Sequence, residues 1–287
     1  MDWLRLLRLA LLPSIIWDLV AGVLLVGATF DRSWLMALVA GILIYHSGMV
    51  ANDIADRGLD RIHRPRRPLA SGAIGITKAW LVLVLMLSGA WLLAAQSSSA
   101  VADLVKLLTV LVLVYDFGGN PIRRSLGPAL LAAARAASLC LGALAVISPD
   151  QIMSSPLLWA AASYAMYFLF VSRLATNEES GASGMRILAL ATTAACAPIL
   201  LFNRPDPHLI AVVPTILGAF VLLRPVIALR HQQLSPAEVQ TIVRRMLGAA
   251  PMIPALALLV DGLYLPAIGG PIASIAIYTM ARRLPPE

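Results

Sequence analysis

One stretch carries enough reactive side chains to do chemistry. It reads Asn52-Asp53-Ile54-Ala55-Asp56-Arg57-Gly58-Leu59-Asp60, then Arg61-Ile62-His63-Arg64-Pro65-Arg66-Arg67-Pro68-Leu69-Ala70-Ser71-Gly72. An apolar run leads straight into it. If that run is a helix that continues, Asp53, Asp56 and Asp60 fall at i, i+3 and i+7, within roughly 60° of one another on one face. Three carboxylates stacked at a membrane's edge repel unless a positive charge lies among them. A hard divalent cation, which takes oxygen ligands, would serve. The arginines between Arg57 and Arg67 could then hold an anion that the metal brings. The competing reading is a solvated juxtamembrane loop of mixed charge.

The elements that must position these residues are membrane helices. Of 287 residues, 60% are hydrophobic and only 13% are charged, where a soluble domain carries about 25%. The expectation is one all-α domain over residues 1–287, a polytopic transmembrane bundle. Apolar stretches lie at about 9–30, 34–51, 76–95, 104–116, 126–147, 156–175, 186–202, 208–229, 238–261 and 263–281, which makes nine or ten spans. The net charge of +7 needs no nucleic acid. Arg5, Arg8, the 52–78 loop, Arg123, Arg124, Arg173, Arg186, Arg224, Arg230, Arg244 and Arg245 gather on one side. Arg32, Lys106 and Arg204 are left for the other. That bias places the first side, and the acidic stretch, in the cytoplasm. The apolar run after Arg5 and Arg8 is about twenty residues, longer than a signal-peptide core, and reads as an anchor helix. Cys140 and Cys196 sit in apolar spans as small packing residues.

Some ionisable groups fall within spans. Asp18 lies mid-span, where a charge is costly and needs a partner. Arg135 is the expected cation, or it could reach a bound anion. His46 reads as a core histidine.

The pattern Asn-Asp-x-x-Asp-x-x-x-Asp joined to Arg-Pro-Leu-x-Ser-Gly resembles the first aspartate-rich motif of the UbiA superfamily of intramembrane prenyltransferases. The resemblance runs from Asp18 to about residue 260. It implies a UbiA-like bundle in a bacterial inner membrane that moves a prenyl group from a prenyl diphosphate to an aromatic or lipid-like acceptor. It also implies Mg2+ held by Asp53, Asp56 and Asp60 as metal-binding and catalytic residues, with Asn52 beside them and Arg67 on the diphosphate. Tyr115-Asp116 resembles the family's tyrosine-led motif, which a lysine normally follows. Here the next positive charges are Arg123 and Arg124. The second motif, Asp-x-x-x-Asp-x-x-x-Gly, is degraded. Anchoring on Gly181 puts Arg173 and Asn177 where aspartates belong. Glu178 and Glu179 would point about 100° and 200° away from Asn177 on a continuous helix. Arg173 would disfavour a second cation, and could pair with Asp53, Asp56 or Asp60 or bind the anion itself. Asp18 before Ala-Gly, Tyr45-x-x-Gly48-Met49, Leu126-Gly127-Pro128 and Ser172-Arg173 resemble the divergent EboC-like branch. That likeness implies an alternative: a non-catalytic or altered protein that binds or helps export a hydrophobic metabolite precursor.

Overall fold

A computed structural model describes residues 1–283, apart from the side chain of Asn120. The order of elements is α1 (Asp2–Leu6), a 3-10 turn (Leu9–Leu11) running into α2 (Leu12–Leu25), α3 (Arg32–His63), α4 (Ile76–Ser97), α5 (Ser99–Phe117), α6 (Gly119–Ser125) and α7 (Gly127–Leu144). The second half contains α8 (Pro149–Ser154), α9 (Pro156–Ala175), α10 (Gly184–Ala195), a 3-10 segment (Ala197–Asn203), α11 (Val212–Ala228), α12 (Pro236–Ala249), α13 (Met252–Val260), α14 (Tyr264–Ala267) and α15 (Gly269–Arg283). The strands are two-residue pieces, β1 (Ala182–Ser183) and β2 (Gln233–Leu234), paired antiparallel.

Eight helical segments among the described residues are long and apolar enough to cross a membrane. The apolar segment Leu9–Leu25 is shorter, and α5 carries Asp103, Lys106 and Asp116 within its 19 residues. Leu and Val side chains on the outer faces of α4 and α11, such as Leu85 and Val221, are more than half exposed. That is the pattern of helices that meet lipid.

Helix α3 has 32 residues, which at 1.5 Å per residue is about 48 Å, longer than the ~30 Å hydrocarbon core. Its Asp31 cap accepts the Trp34 amide at 2.8 Å. From there it needs about twenty residues to span the core, so its last turns, with the acidic stretch, emerge at the edge. The loop that follows is pinned by Leu69 and Ile74, which pack with Leu6, Val50, Ile54 and Leu83.

The centre of the bundle is the crossing of α2 and α7, where two glycines let backbones touch. A Cβ on Gly22 would stand 2.1 Å from the Leu139 carbonyl oxygen, and one on Gly142 would stand 2.1 Å from that of Leu19. Close approach of small residues is the main source of helix affinity in lipid. Gly142→Val is therefore expected to prevent assembly of the bundle, read as loss of the monodisperse peak in detergent chromatography. Gly218→Val, in open space on α11, should be tolerated.

Candidate functional site

Helix α3 puts Asn52, Asp53, Asp56 and Asp60 along one side of its last turns, as the helical period requires. Other elements bring cations to them. Arg67, from the loop after α3, lies between Asp60 (2.7 Å) and Asp53 (3.5 Å). Arg8, from the break between α1 and α2, donates to the Asp53 carboxylate at 3.0 Å and to the Asn52 side-chain oxygen Oδ1 at 3.2 Å. Arg123, from α6, pairs with Asp56. The Asn52 amide donates to Asp56 at 3.3 Å and to Asp116, at the end of α5, at 3.2 Å. Asp53, Asp60 and Asp116 are each at most 5% exposed. Buried carboxylates of this kind persist only when paired.

The structure pairs the three carboxylates expected to share one cation, Asp53, Asp56 and Asp60, with arginines. A guanidinium fills the gap between Asp53 and Asp60, and a second one holds Asp56. Among the described residues no three acidic, histidine or cysteine side chains are grouped to hold a metal. The donor chemistry still fits magnesium, because Asn52, Asp53, Asp56 and Asp116 offer oxygens only. Asp60, on the same side of α3, pairs with Arg67 at 2.7 Å.

Arg123 restores the charge that the tyrosine-led motif lacks in sequence. Gly119, at φ +83°, turns the chain into α6, and the Arg123 side chain folds back over the end of α5. There it donates to the carbonyls of Tyr115 (3.4 Å) and Asp116 (3.1 Å) and stacks 5.3 Å above the Tyr115 ring. Arg8 also belongs to the site, although the sequence shows it only as a topogenic charge. Its partners lie 44 and 45 residues away. Its left-handed backbone (φ 47°, ψ 50°), uncommon for a non-glycine residue, marks it once the fold is known.

The second motif does not join the cluster. Arg173 is exposed, and it pairs with none of Asp53, Asp56 and Asp60, whose partners are Arg8, Arg67 and Arg123. Asn177 is buried, and its amide donates to the carbonyls of Arg173 (3.2 Å) and Leu174 (3.1 Å), closing the end of α9. Arg173 and Asn177, expected to contact the anion, stand in this structure as an exposed charge and a helix cap. Beside them, partial burial pushes the Glu178 carboxyl above its ordinary range, against the pull of Arg64 and Arg244.

A cavity of about 250 Å³ opens from the cluster into the bundle. Arg8, Asn52, Tyr115 and Asp116 line its polar end. Ile15, Met49, Leu108, Leu131 and Leu141 line its apolar wall, and Tyr45, Arg135 and Ser138 its far end. Arg135 meets Asp18 there at 2.9 Å. His46, also buried, bonds the Leu7 carbonyl through Nδ1 at 2.6 Å and takes no part in the cluster.

Residues 12–241 match the model of the UbiA prenyltransferase family. The chain belongs to that family. Digeranylgeranylglyceryl phosphate synthase of Saccharolobus solfataricus is 30% identical over 162 residues, 55% of each chain. A 4-hydroxybenzoate octaprenyltransferase of a Shewanella species is 35% identical over 107 residues, 36% of this chain and 37% of that one. The match thus spans about half, or less, of these UbiA-family relatives. The fold matches the solved structure of a UbiA homolog from Archaeoglobus fulgidus bound to GPP and Mg2+, with a TM-score of 0.58, 16% identity and coverage of 91% of this chain and 100% of that one.

Proposed function

We propose that this membrane protein transfers a prenyl group from a prenyl diphosphate to an aromatic or lipid-like acceptor. The observation that carries this reading is the junction of a charged cluster and an apolar cavity. The charged end suits a diphosphate. Arg8 and Arg123 supply guanidinium forks for its oxygens, and Arg67 keeps Asp53 and Asp60 in register. The apolar wall suits an isoprenoid and keeps water from the reacting carbon. In transfer, the allylic carbon–oxygen bond breaks and its electron pair leaves with the diphosphate. The acceptor's nucleophilic atom bonds to the allylic carbon and loses a proton to the medium.

Magnesium would be held by Asn52, Asp53, Asp56 and Asp116, where it would neutralise the departing diphosphate. The UbiA homolog from Archaeoglobus fulgidus, of the same fold, binds GPP and Mg2+, which supports magnesium as the metal. Leu9–Leu25 and α5 would bring the eight segments to ten spans, with the charged end on the cytoplasmic side of the inner membrane, the side that the arginine bias favours.

The test is incubation of purified protein with prenyl diphosphates of several lengths, magnesium and a panel of acceptors. Product that disappears on chelation and returns with magnesium is the expected result. No product with any pair would overturn the reading. The arrangement at the end of α9 favours a second reading, an altered family member that binds a hydrophobic metabolite without transferring to it. Arg173→Asp with Asn177→Asp separates the two. If the natural protein is an enzyme, this double variant lowers its activity by breaking the Asn177 cap; activity that appears only in the variant supports the binder.

A further inference from the structure

The far end of the cavity holds a second polar centre that the charged cluster does not explain. Asp18 is fully buried and pairs with Arg135 at 2.9 Å. It also accepts hydrogen bonds from Ser138 (2.9 Å) and Tyr164 (2.8 Å). Arg135 is 8% exposed, and its Nη2 donates to Ser14 and Tyr164 at 2.5 Å each. Its Nε and Nη1 meet no acceptor. The rings of Phe168, Tyr164 and Tyr45 lie 4.8, 5.3 and 5.6 Å from the guanidinium carbon. The Tyr45 hydroxyl, on a cavity-lining residue, has no hydrogen-bond partner among the described residues.

Two features follow from these contacts. The aromatic rings cover the unpaired Arg135 nitrogens, and the Tyr45 hydroxyl on the cavity lining is the donor that a missing oxygen would satisfy. The floor is also electrically neutral, because one carboxylate matches one guanidinium. A ligand carboxylate placed there would add an uncompensated charge in a low-dielectric interior, at a cost that a single hydrogen bond does not offset. A carbonyl or hydroxyl oxygen would accept the Tyr45 hydrogen bond with no added charge.

We infer that this floor is the acceptor subsite and that it selects a molecule whose inward end bears a neutral oxygen, such as a ketone, aldehyde or alcohol, over a carboxylate. The acceptor role rests on the prenyltransferase reading of the cavity. The selectivity rests only on the charge count and the Tyr45 hydroxyl.

The test uses two probes of one shape, 4-methoxyacetophenone and 4-methoxybenzoate. Their binding to the purified full-length protein is measured at neutral pH by calorimetry, without diphosphate or metal. The ketone is expected to bind at least about tenfold tighter, the worth of one well-made hydrogen bond. Asp18→Asn gives the floor a net positive charge and should invert the preference. Tyr45→Phe, which removes only a cavity hydroxyl, should weaken the ketone about fivefold and leave the carboxylate unchanged. If Asp18→Asn fails to fold, the wild-type ratio and Tyr45→Phe decide. Equal or tighter binding of the carboxylate by the wild type, binding of neither probe, or a ratio unmoved by both variants would overturn the inference. Prenyl transfer by a protein that binds neither probe would remove the floor assignment and leave the enzyme standing. Selective ketone binding without turnover would uphold the selectivity and remove the enzyme.

Discussion

Asp56→Ala is expected to lower prenyl transfer by about 10²–10³-fold, the usual loss when a group that stabilises developing charge is removed. Asp56 is the joint of the cluster. It holds Arg123 by an ion pair and accepts from Asn52, which in turn holds Asp116 at 3.2 Å. Its loss would remove one of the oxygens proposed for magnesium and release Arg123, the guanidinium on the α5 side of the cluster. Initial rates with saturating donor would show the effect in kcat as well as in kcat/KM. Asp103→Ala is the control: this exposed residue pairs with Lys106 on α5, away from the cavity, and its replacement should leave the rate unchanged. An Asp56→Ala protein that is folded and retains full activity would show that the cluster is structural only.

Arg135→Met is expected to be strongly destabilising. It leaves Asp18 buried without its cation. Breaking a buried ion pair from one side costs about 3–5 kcal/mol, which corresponds to a fall of about 10 °C in the apparent melting temperature. The double variant Asp18→Leu, Arg135→Met should recover much of that loss, because removing both charges removes the unpaired one. Melting of the three proteins in one detergent at one heating rate would check this, since unfolding of membrane proteins is seldom reversible. A single variant as stable as the wild type would show that Asp18 is not charged in the folded protein. The pair has a structural side: Asp18 on α2 and Arg135 on α7 lie at the crossing where Gly22 and Gly142 bring those helices into backbone contact. The same contact that closes the bundle builds the cavity floor.

Local patterns settled a good deal in advance. The apolar runs are long enough to specify membrane helices without further information. The spacing of Asp53, Asp56 and Asp60 placed them on one side of α3, because helical geometry depends on nothing beyond the helix itself. Asp18, a charge within an apolar span, announced that it needed a partner, and Arg135 was the available cation in a neighbouring span. The family's first motif could be recognised from its residue order.

Other features depended on contacts between residues far apart in the chain. The sequence held several arginines near the motif, and beyond Arg67, singled out by its place in the Arg-Pro-Leu motif, it did not say which would reach the carboxylates. Packing brought in Arg8 from the first turn of the chain, Arg67 through the loop anchored by Leu69, and Arg123 through the reversal at Gly119. A guanidinium therefore stands between Asp53 and Asp60, where a metal was expected, because three separate segments converge on one helix end. Asn177 became a cap and Arg173 a surface charge because of where α9 stops, which β1 and β2 help to set by pairing the chain after Gly181 with Gln233–Leu234. Residue type and helical period decide which side chains share a face. Only the assembled bundle decides which opposite charge reaches them first, and that choice separates a bare carboxylate cluster from one already neutralised by arginine.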